Sequence, residues 1–159
     1  MTMRVNYGVV APEAIKAMMG LEQTVEAMGL DRKLVHLIKL RASQINGCAY
    51  CIDMHNREAR ADGERQQRLD LLSAWRETNF FDERERAVLG WTEALTRLSE
   101  GREHESAYQA LKAHFTGEEQ VKLTLTINLI NGWNRLAVGS GVFADPAAIR
   151  SAVQAVANQ

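Results

Sequence analysis

Apolar residues in this chain recur three and four positions apart over most of its length, and no stretch alternates apolar with polar residues as a half-buried strand does. Only two prolines interrupt the 159 residues; the other punctuation is glycine and Asn-Gly. That rhythm predicts an all-α fold. Pro12 suits the first turn of a helix carrying Ile15, Met18, Met19, Glu22, Val25 and Met28 up to Gly29, with the methionine stripe expected in the core. A second helix is predicted from Asp31 to about Gln44, and a third from Cys48 to Asp62, stopped by Gly63. Asn46-Gly47 turns the chain between them, so the two should pair as an antiparallel hairpin. A fourth helix passes through Leu69, Leu72 and Trp75. Asp82-Glu83-Arg84-Glu85 has the form of a capping box and opens a fifth, with Ala87, Val88, Trp91, Ala94, Leu95 and Leu98 at helical spacing. Thr116-Gly117-Glu118-Glu119 repeats the device before a long apolar helix holding Val121, Leu125, Leu129 and Trp133. A shorter helix, roughly Glu103 to Phe115, lies between those two, and a last one after Pro146 carries Ile149, Val153 and Val156. With no linker, repeat or low-complexity segment, residues 1–159 read as a single bundle-like domain.

Nineteen basic against twenty acidic residues leave a net charge of -1. Such a balance argues against nucleic acid and anionic membranes as partners. No eighteen apolar residues run together and the N-terminus lacks a signal-peptide pattern, so the expected location is cytoplasmic. In that reducing compartment a structural disulfide is not expected. A Cys-x-x-Cys there points to redox or metal chemistry.

Both cysteines stand in Asn46-Gly47-Cys48-Ala49-Tyr50-Cys51-Ile52-Asp53-Met54-His55. Three residues advance 300° on a helix and four advance 400°, so Cys48, Cys51 and His55 share one stripe. Cα atoms three apart are separated by roughly 5 Å, within the ~4.4–6.8 Å span of a disulfide. Helical side chains lean toward the N-terminus, which sends the imidazole of His55 over Cys51. Free N–H groups in a first turn favour a thiolate over a thiol, whose ordinary pKa is about 8.5. The same residues also fit a pair of core cysteines and a solvated histidine. Zinc needs four ligands, and beyond this trio only His36, His104, His114 or a carboxylate remain, so no metal is expected; with no Gly-rich phosphate cradle in the sequence, no organic cofactor is expected either.

Cys48-x-x-Cys51-x-x-x-His55 behind Arg41-Ala42-Ser43-Gln44-Ile45-Asn46-Gly47 resembles the alkylhydroperoxidase D-like branch of the carboxymuconolactone decarboxylase family. Arg84-Glu85-Arg86-Ala87 with Trp91-Thr92-Glu93-Ala94-Leu95, and Asn131-Gly132-Trp133-Asn134-Arg135, extend the likeness to a peroxidase-related subgroup. The resemblance implies a helical bundle that assembles as a homo-oligomer, a trimer or hexamer, and that reduces small organic hydroperoxides. By that analogy Cys51 attacks the O–O bond, Cys48 resolves the sulfenic acid as a disulfide, and His55 relays protons. An external dithiol, from a lipoyl-bearing or thioredoxin-like protein, then restores the pair. Members of the family carry a glutamate twelve residues before the first cysteine, where this chain has His36, and some carry a histidine where it has Tyr50. On an antiparallel hairpin His36 stands level with His55 and is a candidate to replace that carboxylate. Tyr50 should pack against or line the pocket, or donate a hydrogen bond near the dithiol.

Arg41, Ser43, Gln44 and Asn46 are expected to fix the hairpin by hydrogen bonds. Asn128, Asn131 and Asn134 need polar partners if buried, at a subunit contact or beside the pocket. The three tryptophans read as core or interface anchors, and the DERERA segment as a solvated helix start. Two further functions use the same dithiol: general thiol–disulfide exchange on proteins, and a non-enzymatic redox sensor or scaffold. Decarboxylase chemistry does not require it.

Overall fold

The computed structural model describes residues 2–101 and 104–158, and every regular element among them is helical. In chain order these are α1 (Tyr7–Val10), α2 (Pro12–Ala27), α3 (Arg32–Ile45), α4 (Ala49–Ala61), α5 (Gln66–Leu71), α6 (Glu83–Thr96), α7 (His104–His114), α8 (Gly117–Ser140) and α9 (Pro146–Ala157). Local chemistry sets most of the boundaries. Asp31 caps α3 by accepting from the Lys33 N–H, and both expected capping boxes form, Asp82 with Glu85 and Thr116 with Glu119. Glu103, the expected start of α7, lies outside the described residues.

α3 is the central element. Leu34, Ile38 and Ala42 pack with Val88, Leu111, Leu123, Ile127 and Ile130 from α6, α7 and α8. Its other side sends Leu37 and Leu40 against Ala59, Leu69, Leu72, Trp75 and Leu89. Each of these fully buried aliphatic side chains contributes about 1.5–3 kcal/mol, which holds the hairpin from both sides. A third cluster joins Tyr7, Ile15, Ala137, Val142, Ile149 and Val156 around Cys48 and Cys51. Here α1, α2, α8 and α9 close over the start of α4. Gly8 lets α1 approach α9 closely, since a Cβ there would stand 2.8 Å from Ala152 Cβ and 3.1 Å from its backbone carbon.

Several expectations need correction. The fourth helix breaks after Leu71 into a 3-10 segment, Leu72–Glu77, with Ala74 at φ -114. The fifth stops at Thr96, leaving Leu98 in a 3-10 turn and exposed. DERERA is not uniformly solvated: Glu85 is buried against Arg68, Arg84 lies over the Phe115 ring and Arg86 over Trp75. The methionine stripe is core only in part, because Met19 and Glu22 line a cavity. Val121 is 69% exposed, while Thr126, Asn131 and Asn134 of the same long helix are buried.

Candidate functional site: a dithiol at the start of a helix

The site begins at the turn. Gly47 adopts φ +64, a left-handed conformation that glycine takes without strain, and the Cys48 N–H returns to the Ser43 carbonyl at 3.0 Å. Asn46 Nδ2 donates to Asn131 Oδ1 at 3.0 Å and to Asn134 Oδ1 at 2.9 Å, and Asn134 Nδ2 donates to Ser43 Oγ at 3.0 Å. Asn131 and Asn134 therefore find their partners on the hairpin, whereas Asn128 is exposed. Of the expected hairpin residues, Arg41 reaches farther, to Glu93 at 2.7 Å as well as Gln44 at 3.2 Å.

Cys48 is the N-cap of α4. Its sulfur accepts the Cys51 N–H at 3.4 Å, and the two cysteines are joined as a disulfide with Cα atoms 5.4 Å apart. Both side chains are almost fully buried. Cys51 lines a cavity of about 830 Å³, and Cys48 is not among its lining residues. The cap position and the cavity thus treat the two sulfurs differently.

One turn on, His55 lines the same cavity and is buried. Its Nδ1 is 2.7 Å from Glu58 Oε2. Burial pushes the Glu58 carboxyl up, but the hydrogen bond and charge of His55, with Lys39 and His36, outweigh it and hold the group below its ordinary value. An ionised carboxylate only accepts, so Nδ1 carries a proton toward Glu58, and whenever the ring is neutral the lone pair is on Nε2.

His36 lines the cavity too, yet its Nε2 lies 2.6 Å from Asp62 Oδ2, which also holds Arg32. Those hydrogen bonds, His36 first and then Arg32, pull the Asp62 carboxyl down. The carboxylate beside His55 is Glu58 rather than anything at position 36. Two residues three apart on one helix are neighbours by construction, and a carboxylate satisfies an imidazole N–H as a second imidazole does less well. Helical arithmetic from His55 would have found Glu58.

Tyr50 lines the cavity as expected. Its phenol is pushed up chiefly by burial, against the lowering charges of Arg150 and Arg57, while Tyr7 beside it is pushed up to about 12, again mainly by burial. Lys39 pairs with Glu22, whose other oxygen accepts from Trp133 Nε1 at 2.9 Å. Lys39, Glu22 and Arg150 carry no local signal that marks them as cavity residues. Among the described residues no three His, Cys, Asp or Glu side chains converge to hold a metal ion. Nor is any described helix long and apolar enough to cross a membrane.

Known proteins share this frame. The Bacillus subtilis protein YdfG, itself uncharacterised, is 41% identical over 141 residues, 89% of this chain and 96% of its own. A crystal structure of the Agrobacterium tumefaciens protein ATU0492, of unknown function and named as a candidate antioxidant defence protein AhpD, is 50% identical with a TM-score of 0.85, covering 87% of this chain and 95% of that one. The debrominase Bmp8, at 19% identity and a TM-score of 0.69 over 88% of this chain and 75% of its own, shares the fold alone. Residues 12–94, which span the hairpin, the dithiol and most of α6, match the description "Carboxymuconolactone decarboxylase family". The chain belongs to that family.

Proposed function

We propose that this protein is a thiol peroxidase that reduces organic hydroperoxides through Cys51 and Cys48. One observation carries the reading: of the two bonded cysteines, Cys51 lines the cavity and Cys48 does not, and His55 lines it on the same helix face. In the reduced protein His55 Nε2 takes the Cys51 thiol proton. The thiolate attacks the distal peroxide oxygen, the O–O bond breaks, and the leaving alkoxide takes the proton back as alcohol. Cys51 is then a sulfenic acid. The Cys48 thiol displaces its oxygen as water and forms the disulfide seen here.

An external dithiol completes the cycle by attacking the sulfur it can reach, that of Cys51. Cys48 departs as a thiolate, with the Cys51 N–H and the start of α4 to stabilise it. Glu58 keeps the imidazole in the tautomer the first step needs, as a positioning residue. His36 lines the same cavity but is held by Asp62 rather than by His55. The reading also takes the protein to be cytoplasmic and a homo-oligomer, which light scattering on the purified chain will test.

With dihydrolipoamide as reductant, the wild type is expected to consume cumene hydroperoxide and Cys51→Ser to lose all turnover. Without reductant, Cys48→Ser should consume one equivalent and stop with a sulfenic acid on Cys51, located by mass spectrometry. Equal consumption by wild type and Cys51→Ser, or first oxidation at Cys48, defeats the assignment. Faster reaction with an oxidised protein substrate than with any hydroperoxide would instead favour general thiol–disulfide exchange.

A further inference from the structure

The cations on the cavity wall differ in one respect. Arg32 is held by Asp62 and Lys39 by Glu22. Arg150, in α9, forms no ion pair with any carboxylate among the described residues, and its guanidinium lies against the Tyr50 side chain. Three and four residues on, Val153 and Gln154 face the same cavity, so one side of α9 forms this part of the wall. Tyr50 stays a neutral phenol at physiological pH, able to donate, because burial pushes its titration upward. A guanidinium and a phenol O–H side by side, next in sequence to the reacting cysteine, make a site for an anion.

The wall beyond them is apolar: Met19, Trp133, Ala137 and Val153 lie with Tyr50 and Cys51 in one cluster. The acids on this wall are Glu22, held by Lys39, Glu58, which engages His55 and acts on Tyr50, and Glu26, seven residues beyond Met19 on α2 and about 10 Å along that helix. At Tyr50 the charges of Arg150 and Arg57 outweigh that of Glu58, whose carboxylate His55 already engages.

We infer that the cavity takes hydroperoxides of carboxylic acids, with the carboxylate on Arg150 and Tyr50, the hydrocarbon on the apolar wall and the peroxide at Cys51. The inference rests on the peroxidase reading and adds the substrate class. An Arg150 fork accepts both oxygens of a carboxylate and offers nothing comparable to an ester. Discrimination is expected to be modest, because Arg150 is exposed and its charge is screened by water and salt.

The test compares linoleic acid hydroperoxide with its methyl ester at low ionic strength. The wild type should show a kcat/KM ratio of about five- to tenfold in favour of the acid, the scale of one charged hydrogen bond at an exposed site. The ratio should shrink in high salt, fall to about one in Arg150→Gln, and recover in part in Arg150→Lys. A wild-type ratio near one, or an unchanged ratio in Arg150→Gln, overturns the inference. Turnover of tert-butyl hydroperoxide that depends on Cys51 keeps the peroxidase reading standing whichever way that ratio falls. If no hydroperoxide is consumed, that reading fails and calorimetric titration decides the anion site: decanoate binding that is tighter than decanol binding and lost in Arg150→Gln supports it, and equal binding overturns it.

Discussion

Glu58 shows how a half-exposed side chain matters through what it touches. Its carboxylate meets a buried ring, so it sits between water and the site. Glu58→Gln can accept at the same place but lacks the charge that favours one tautomer, and the expected result is a fall of about tenfold in kcat/KM for hydroperoxide, the scale of one charge-assisted hydrogen bond. The reductive half-reaction, in which the dithiol attacks the disulfide, should change far less. Glu58→Asp should recover part of the loss, which a purely packing role would not allow. Stopped-flow measurement of the two half-reactions separates the cases, and equal losses in both would remove Glu58 from the proton path. Its presence was legible in principle, three residues after His55. His36 stands where the family resemblance expects a glutamate, and its partner, Asp62, comes from the far end of the hairpin.

Between elements, the polar contact of α8 with the hairpin fixes where the dithiol stands. Asn134 is almost fully buried and serves both Asn46 and Ser43, so Asn134→Ala removes an acceptor from one and a donor from the other. The expected cost is about 1–3 kcal/mol of unfolding free energy in urea, with slower peroxide turnover because the turn before Cys48 loosens. Unchanged turnover at the lower stability would mean that α4 holds its start without help from α8. The start and stop of α4 were readable because a cap and a glycine act over a few residues. The buried face of α8 was not. Val121 is exposed while Asn131 and Asn134 are buried, because the helix turns polar groups toward a polar turn that lies far away in sequence, and hydrophobic periodicity carries no trace of that. The same distance hid Arg150, on the last helix, from any reading of the dithiol motif.

Across the molecule, one carboxylate joins α3, α6 and the 3-10 segment that follows α5. Glu93 of α6 is buried and accepts from Arg41 of α3 at 2.7 Å, from Trp75 Nε1 at 2.9 Å, and from Arg76. Arg41 comes from α3, which packs into both of its flanking clusters, and Trp75 belongs to the second of them. Burial pushes the Glu93 carboxyl up, yet hydrogen bonds from Arg76, Trp75 and Arg41 and the Arg41 charge hold it below the ordinary 4.5. A carboxyl with a lower pKa in the folded chain contributes stability that is complete above its unfolded value and is lost as pH falls through the folded one. Glu93→Gln leaves Arg41 buried opposite a neutral amide, and breaking such a pair costs about 3–5 kcal/mol at neutral pH. Urea midpoints measured from pH 7 down to the acid range should therefore converge, with the wild type losing stability faster than the variant below about 4.5 as Glu93 takes up its proton. Other depressed carboxyls, Glu58 and Asp62 among them, lower both proteins together and cancel in the difference. Curves that stay parallel would mean that the stability Glu93 provides is packing and hydrogen bonding alone, with no proton linked to the joint between α3 and α6.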